Sequence, residues 1–195
     1  MRRALLAAAV IFASGRAASA AIKEGDQLVS ARLGIVSALG AQQQSYSAGW
    51  QGAGEYLYQL CPYFGVGGEF VYTNPEGTTV GGPRNSVRRN TQMSAIDALA
   101  RWNLTPGESW TPYAALGAGM YYHNETDIVI AQARSNVPTS NTNSHFWRPT
   151  GLAALGVDYI NDAGLILGIQ ARLQTFSRPI NALSLAAKIG LRFGK

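Results

Sequence analysis

The side chains that could do chemistry in this sequence are few, and their spacing matches no catalytic motif. The 195 residues include two histidines, His123 and His145, and one cysteine, Cys61. Ser144 and His145 are adjacent in sequence, but acyl transfer needs a serine and a base whose side chains meet in the fold. A single cysteine excludes an internal disulfide. These residues give no reason to expect an enzyme.

A metal site is the next possibility, because His123, Glu125 and Asp127 occupy alternate positions and carry metal-binding groups. Solvated loop residues produce the same pattern, and the segment lies between two apolar runs. We therefore predict that the protein holds neither a metal nor an organic cofactor.

The remaining chemistry belongs to charged side chains inside short apolar segments. Each central charge falls on the face opposite the apolar residues of its segment, as Glu69 does opposite Phe70 and Tyr72. Four acids and five bases share this face, and in a narrow interior they would pair, since an unpartnered buried charge is costly. The predicted network consists of Arg32, Glu55, Glu69, Asp97, Arg101, Asp158, Arg172, Lys188 and Arg192.

Eight segments with period-two alternation carry these charges, and each is long enough to cross a bilayer as a strand. They are predicted at about residues 27–37, 48–60, 63–73, 91–104, 112–122, 150–159, 165–174 and 183–193.

The N-terminus has the layout of a secretory signal peptide. Arg2 and Arg3 precede an apolar run, and small residues end at Ala20. We predict two parts, a cleaved signal over residues 1–20 and one domain over residues 21–195. Loss of three arginines leaves 13 bases against 11 acids, so no nucleic-acid partner is expected.

Alternation alone leaves open a secreted β-sandwich, whose apolar face would be its core and whose charges would face water. Connection lengths favour a membrane barrel, because long gaps (about residues 38–47, 74–90 and 124–147) alternate with short turns. Aromatic residues also cluster at both ends of the segments, as interfacial belts do. The expected fold is all-β, an eight-stranded antiparallel up-and-down transmembrane β-barrel.

The chain resembles the small outer-membrane β-barrel proteins of Gram-negative bacteria, the group that includes the OmpA transmembrane domain, OmpX and OmpW. Residues 110–122 (WTPYAALGAGMYY) and 151–165 (GLAALGVDYINDAGL) are similar to strands of that group. The segment ending at Phe193 is similar to its C-terminal assembly signal, although Gly194 and Lys195 follow. The resemblance implies an outer-membrane location, export with a cleaved signal, and insertion by the barrel-assembly machinery.

The same resemblance includes lipid A deacylases with a His-x-Ser pair. Neither histidine of this chain matches that pair, so an enzyme is disfavoured. We expect a structural or surface-interaction role, with the lumen filled by ion pairs. The alternative is an OmpW-like transporter or porin for small or hydrophobic solutes, with space left by inward glycines (Gly65, Gly67, Gly117 and Gly119).

Outer-membrane lipids and lipopolysaccharide are the expected partners. One predicted loop holds Arg84, Arg88 and Arg89 with a single acid, Glu76. Guanidinium groups bind phosphate well, so this loop is the candidate contact for lipopolysaccharide phosphates. An ordinary soluble loop would have the same composition.

Overall fold

The structure is a computed structural model that describes residues 21–39, 48–74, 79–82, 85–131, 141–176 and 180–194. In residues 79–82, 85–91, 125–131, 141–144, 176 and 180 the description is limited to the backbone. Nine strands follow one another in this part of the chain: β1 (Gln27–Leu39), β2 (Gly49–Cys61), β3 (Phe64–Asn74), β4 (Thr79–Gly82), β5 (Asn85–Asn103), β6 (Trp110–Ala131), β7 (Asn141–Ile160), β8 (Leu165–Phe176) and β9 (Ile180–Phe193).

Eight of these strands close into an antiparallel barrel in the order β1-β2-β3-β5-β6-β7-β8-β9. The first and last strands pair along their whole length, from Gln27 opposite Phe193 to Leu39 opposite Asn181. The short strand β4 pairs with β5 alone, beyond the point where β3 leaves β5. The predicted eight-stranded up-and-down barrel is therefore confirmed, and β4 is an addition outside the closed wall.

The predicted faces are also confirmed, because side-chain burial alternates with period two along every wall strand. In β1, Leu28, Ser30 and Arg32 are buried, whereas Leu33 is 66% exposed. In β7, Leu155 is 67% exposed, whereas Asp158 is buried. A sandwich would bury its apolar face, so this outward apolar face fits contact with lipid. Within the described residues, no helix is both long and apolar enough to cross a bilayer.

Three strands run further than their patterns predicted. β5 begins at Asn85, β6 continues to Ala131 and β7 begins at Asn141, so parts of the predicted loops 74–90 and 124–147 are strand. Polar residues in these extensions hide the period-two signal, since no lipid selects an apolar face there. Pairing of β5, β6 and β7 nevertheless continues along the extensions and forms a sheet that projects beyond the wall.

Aromatic side chains pair across neighbouring strands at both ends of the wall. At the loop end, the ring centroids of Trp50 and Tyr72 are 5.2 Å apart, as are those of Tyr122 and Trp147. At the turn end the same spacing, 5.1–5.2 Å, joins two further pairs. Such tilted pairs at two levels are typical of interfacial aromatic belts. The turn-end pairs are Phe64 with Trp102 and Trp110 with Tyr159.

The turn between β7 and β8 shows how sequence fixes a tight connection. Gly164 has φ of +80°, a backbone conformation that a side chain would strain. Its N–H donates to the carbonyl of Asn161 at 2.9 Å, and the Asn161 side chain accepts from the N–H of Leu165 at 2.8 Å. The short turn predicted between the segments 150–159 and 165–174 is therefore confirmed.

Candidate functional site

Like charges are neighbours along the barrel wall. Glu55 on β2 lies directly opposite Glu69 on β3, and Glu69 lies opposite Asp97 on β5. On the next strands around the barrel, Arg32 on β1 lies opposite Lys188 on β9. Adjacent like charges repel, so each side chain must find its partner elsewhere in the lumen.

Opposite charges meet inside the barrel and form one continuous alternating chain of ion pairs. Seven pairs connect eight side chains, each at most 6% exposed. Their order is Asp97, Arg172, Glu69, Arg32, Glu55, Lys188, Asp158 and Arg101. We call this the ion-pair chain.

The ion-pair chain spans the full width of the lumen. Arg172 on β8 contacts Glu69 on β3, and these two strands stand on opposite sides of the barrel. Arg172 also lies 3.1 Å from Asp97, and Lys188 lies 3.0 Å from both Glu55 and Asp158. The chain of four acids and four bases is electrically balanced and connects opposite walls.

The strand β6 contributes no charge to this layer, but it supplies Tyr113. The guanidinium carbon of Arg101 lies 3.7 Å from the centre of the Tyr113 ring, and the Lys188 ammonium lies 5.0 Å from it. Such contacts stabilise a buried cation through the ring's electron density. The ring fits because β7 has glycine at position 156, where a β-carbon would lie 2.5 Å from the phenol. Every wall strand therefore contributes to the layer.

Neutral polar side chains add hydrogen bonds to some of the charged groups. Arg101 donates to Asn103 at 2.7 Å, and Asn103 donates to Gln59 at 3.0 Å. Gln170 accepts a hydrogen bond from Arg32. A buried ion pair needs such partners because Coulomb attraction alone does not offset its desolvation.

Arg192 does not join the ion-pair chain, although it was predicted there. It lies at the turn end, where its guanidinium donates to the carbonyl of Ala21 at 2.7 Å and stands 4.0 Å from Asp26. The side chain is partly exposed, because it lies four residues beyond Lys188 in β9, at the turn end of the strand. Phe193 follows on the outer face, 53% exposed.

Apolar layers lie above and below the ion-pair chain, and the sequence pattern alone did not reveal them. Toward the turns, Leu28, Leu57 and Ile166 belong to one buried cluster; toward the loops, Val36, Val71 and Tyr121 belong to another. Apolar residues at inward positions of the strands indicate these layers, but charged residues on the same face obscure the pattern. The lumen is a packed interior in which charges form the middle layer.

Two of the inward glycines have little open space beside them. A β-carbon at position 65 would meet the amide of Gln59, and one at position 117 would meet Leu99 and Leu152. At these two positions neighbouring side chains occupy the space that the missing side chain leaves.

The structure describes the other predicted site residues to different extents. Arg84 falls outside the described residues, and only the backbone of Arg88 and Arg89 is described, in β5. His123 is buried and stacks on Phe146 with ring centroids 4.7 Å apart, whereas His145 is exposed. In the described part of the chain no group of three or more metal-binding side chains comes together; the side chains of Glu125 and Asp127 are not in that part.

Fold and lumen together define a class of protein, the small eight-stranded barrels of bacterial outer membranes. No family model matches the chain, and no curated protein matches it in sequence. Three solved structures share the fold with a TM-score of 0.58 each.

The first of these is Ail, the attachment invasion locus protein of Yersinia pestis, at 13% identity over 87% of this chain and 99% of Ail. Neisserial surface protein A is 14% identical over 87% of this chain and 100% of its own. OprG of Pseudomonas aeruginosa is 14% identical over 90% and 99% of the two chains. Identities this low show the fold alone. Ail is also known in complex with the heparin analogue sucrose octasulfate.

Proposed function

We propose that this protein is an outer-membrane barrel with a closed lumen and a surface-interaction role. It is exported with residues 1–20 removed, inserted by the barrel-assembly machinery through the strand that ends at Phe193, and held among outer-membrane lipids. The observation that carries the proposal is the ion-pair chain, which joins opposite walls through seven contacts.

A closed lumen follows from the energetics of those contacts. A solute that passed the layer would have to separate Arg172 from Glu69, leaving buried charges without partners. Breaking one buried pair costs ~3–5 kcal/mol, and several pairs share side chains. The layer therefore supports a structural lumen over the transporter alternative.

The projecting sheet is the part of the protein that supports an interaction role. β5, β6 and β7 continue past the loop-end aromatic pairs, and β4 adds a fourth strand. A paired backbone is already ordered, which lowers the entropy lost on binding. The surface it presents is therefore better suited to a partner than loose loops would be.

Lipopolysaccharide phosphate is the chemical group that the arginines of the β4–β5 hairpin fit best. Arg84, Arg88 and Arg89 lie within six residues of sequence, and the backbone of Arg88 and Arg89 is part of β5. Guanidinium groups bind phosphate and sulfate oxygens in pairs. Ail, which shares the fold, binds a sulfated sugar, a related polyanion.

Planar-bilayer recording tests the closed lumen. The full chain, exported in a Gram-negative host and purified in detergent, is expected to insert without producing unitary currents. Heat-dependent gel mobility serves as the control that the silent protein is folded. Stable currents that change on substitution of Arg101 or Glu69 would instead establish the transporter alternative.

Binding to purified lipopolysaccharide tests the surface role. The variant R84A/R88A/R89A is expected to bind more weakly than the parent and with a shallower salt dependence, because three phosphate contacts are lost. The matched control is R134A, which removes a base from the other long outer segment. Equal binding by the parent and the triple variant would exclude the hairpin as the contact.

A further inference from the structure

The segment that precedes β1, residues 21–26, crosses the turn end of the barrel. The N–H of Ile22 donates to the carbonyl of Pro106 at 2.8 Å, in the turn between β5 and β6. Gly25 donates to Gln59 of β2 at 2.9 Å. In the strand order, the β5–β6 turn stands across the barrel from β1. We call this segment the N-terminal strap.

Ile22 anchors the N-terminal strap inside the barrel. Its side chain is 2% exposed, as low as core residues of the wall, although the segment is not part of any strand. It belongs to the same buried cluster as Leu28, Leu57, Ile160 and Ile166, which come from four different strands. An apolar side chain that meets several walls lies at the centre of the opening and closes it.

The other face of the N-terminal strap is polar and reaches solvent. Arg192 holds the carbonyl of Ala21 at 2.7 Å, and the Asp26 carboxylate accepts from the N–H of Lys23 at 2.9 Å. A cavity of about 250 Å³, lined in part by Asp162, lies beside them. The strap therefore separates the apolar interior from water, and Arg192, which has no place in the ion-pair chain, helps to hold it.

We propose that the N-terminal strap is a second closure of the lumen, in series with the ion-pair chain. The proposal rests on the proposed function in so far as that function needs a closed lumen. Two closures in series mean that removing either one leaves the barrel closed. The strap also gives the first residues after the signal a defined position in the folded protein.

Cysteine labelling tests whether the strap is seated. In a C61S background, I22C is compared with E24C, its matched control in the same segment, where the native side chain is exposed. The full chain is exported, purified in detergent and treated with a polar maleimide. Position 22 is expected to react at least about tenfold more slowly than position 24, equivalent to ~1.4 kcal/mol of local opening.

Addition of R192A to I22C should speed its labelling, because the hold on Ala21 is lost, and should leave E24C unchanged. This second variant distinguishes slow labelling caused by a seated strap from slow labelling with another cause. Equal rates at positions 22 and 24 in the folded protein would overturn the proposal.

Bilayer recording tests the series arrangement. Deletion of residues 22–25 alone and E69A/R172A alone are each expected to be silent. Currents from E69A/R172A alone would overturn the proposal. Currents from the unaltered protein would contradict the proposed closed lumen instead. The labelling rates would still show whether the strap is seated.

Discussion

Glu69 is the residue on which the middle of the ion-pair chain depends, because it accepts from two arginines, Arg32 and Arg172. Both arginines are buried and come from strands other than its own. Removing the carboxylate therefore leaves two like charges facing one another in a medium that solvates neither.

We predict that E69A lowers the free energy of unfolding by ~3–5 kcal/mol. The matched control is R192A, whose guanidinium is partly exposed and stands 4.0 Å from Asp26; we expect loss of this long pair at the turn end to cost less than loss of Glu69. Urea unfolding in lipid vesicles, followed by tryptophan fluorescence, measures both. Equal losses for the two variants would show that the buried pairs contribute no more than this long pair.

Position 156 requires glycine because the Tyr113 ring packs against it. We predict that G156A destabilises the barrel by ~1–3 kcal/mol, because the added carbon would lie 2.5 Å from the phenol. G54A is the control, since a carbon at this outward position meets nothing within 4 Å. The same urea titration compares them, and a neutral G156A would mean that the Tyr113 ring moves aside freely.

At the scale of the strand, depth in the membrane decides which side chains the outer face accepts. β6 begins at Trp110 in the turn-end aromatic pairs and passes Tyr122 in the loop-end pairs, so Leu116 lies midway between them. Its side chain is 54% exposed on the outer face. This position should be the least tolerant of charge.

We predict that L116K costs ~2–4 kcal/mol and that L104K, beyond the turn end of β5, costs at most ~1 kcal/mol. Leu104 is as exposed as Leu116, so only depth separates the two variants. Unfolding in lipid vesicles gives both values. Two small and equal costs would contradict a lipid-facing wall.

At the scale of the whole molecule, closure by β1 and β9 is what makes the strands a barrel. Without β9, the inner edges of β1 and β8 would present unpaired backbone groups to lipid, which has no hydrogen bonds to offer. The projecting sheet is different, because β4 pairs with β5 outside the closed wall.

We predict that a chain lacking residues 180–193 shows no heat-dependent gel mobility, whereas a chain with β4 and its turn replaced by a short linker keeps it. Both are read from cold and heated samples on one gel. A folded species without β9 would mean that the wall closes in some other way.

The sequence predicts the structure of the barrel wall better than that of the charged layer inside it. The faces of all eight wall strands follow from alternation, as at Leu33 and Arg32, because lipid excludes charge at each position separately. The ends of β5, β6 and β7 were underestimated, because outside lipid nothing enforces an apolar face and pairing alone extends the strands.

The sequence by itself determined the number of wall strands, the lipid-facing positions and the charges that turn inward, since these depend on neighbours one or two residues away. Only the tertiary structure decided which charges pair, because the partners lie far apart, as Glu55 and Lys188 do at 133 residues. It also removed Arg192 from the ion-pair chain and placed Ile22 in the turn-side mouth. Both outcomes depend on which distant segments the closed barrel brings together, and local periodicity does not predict such contacts.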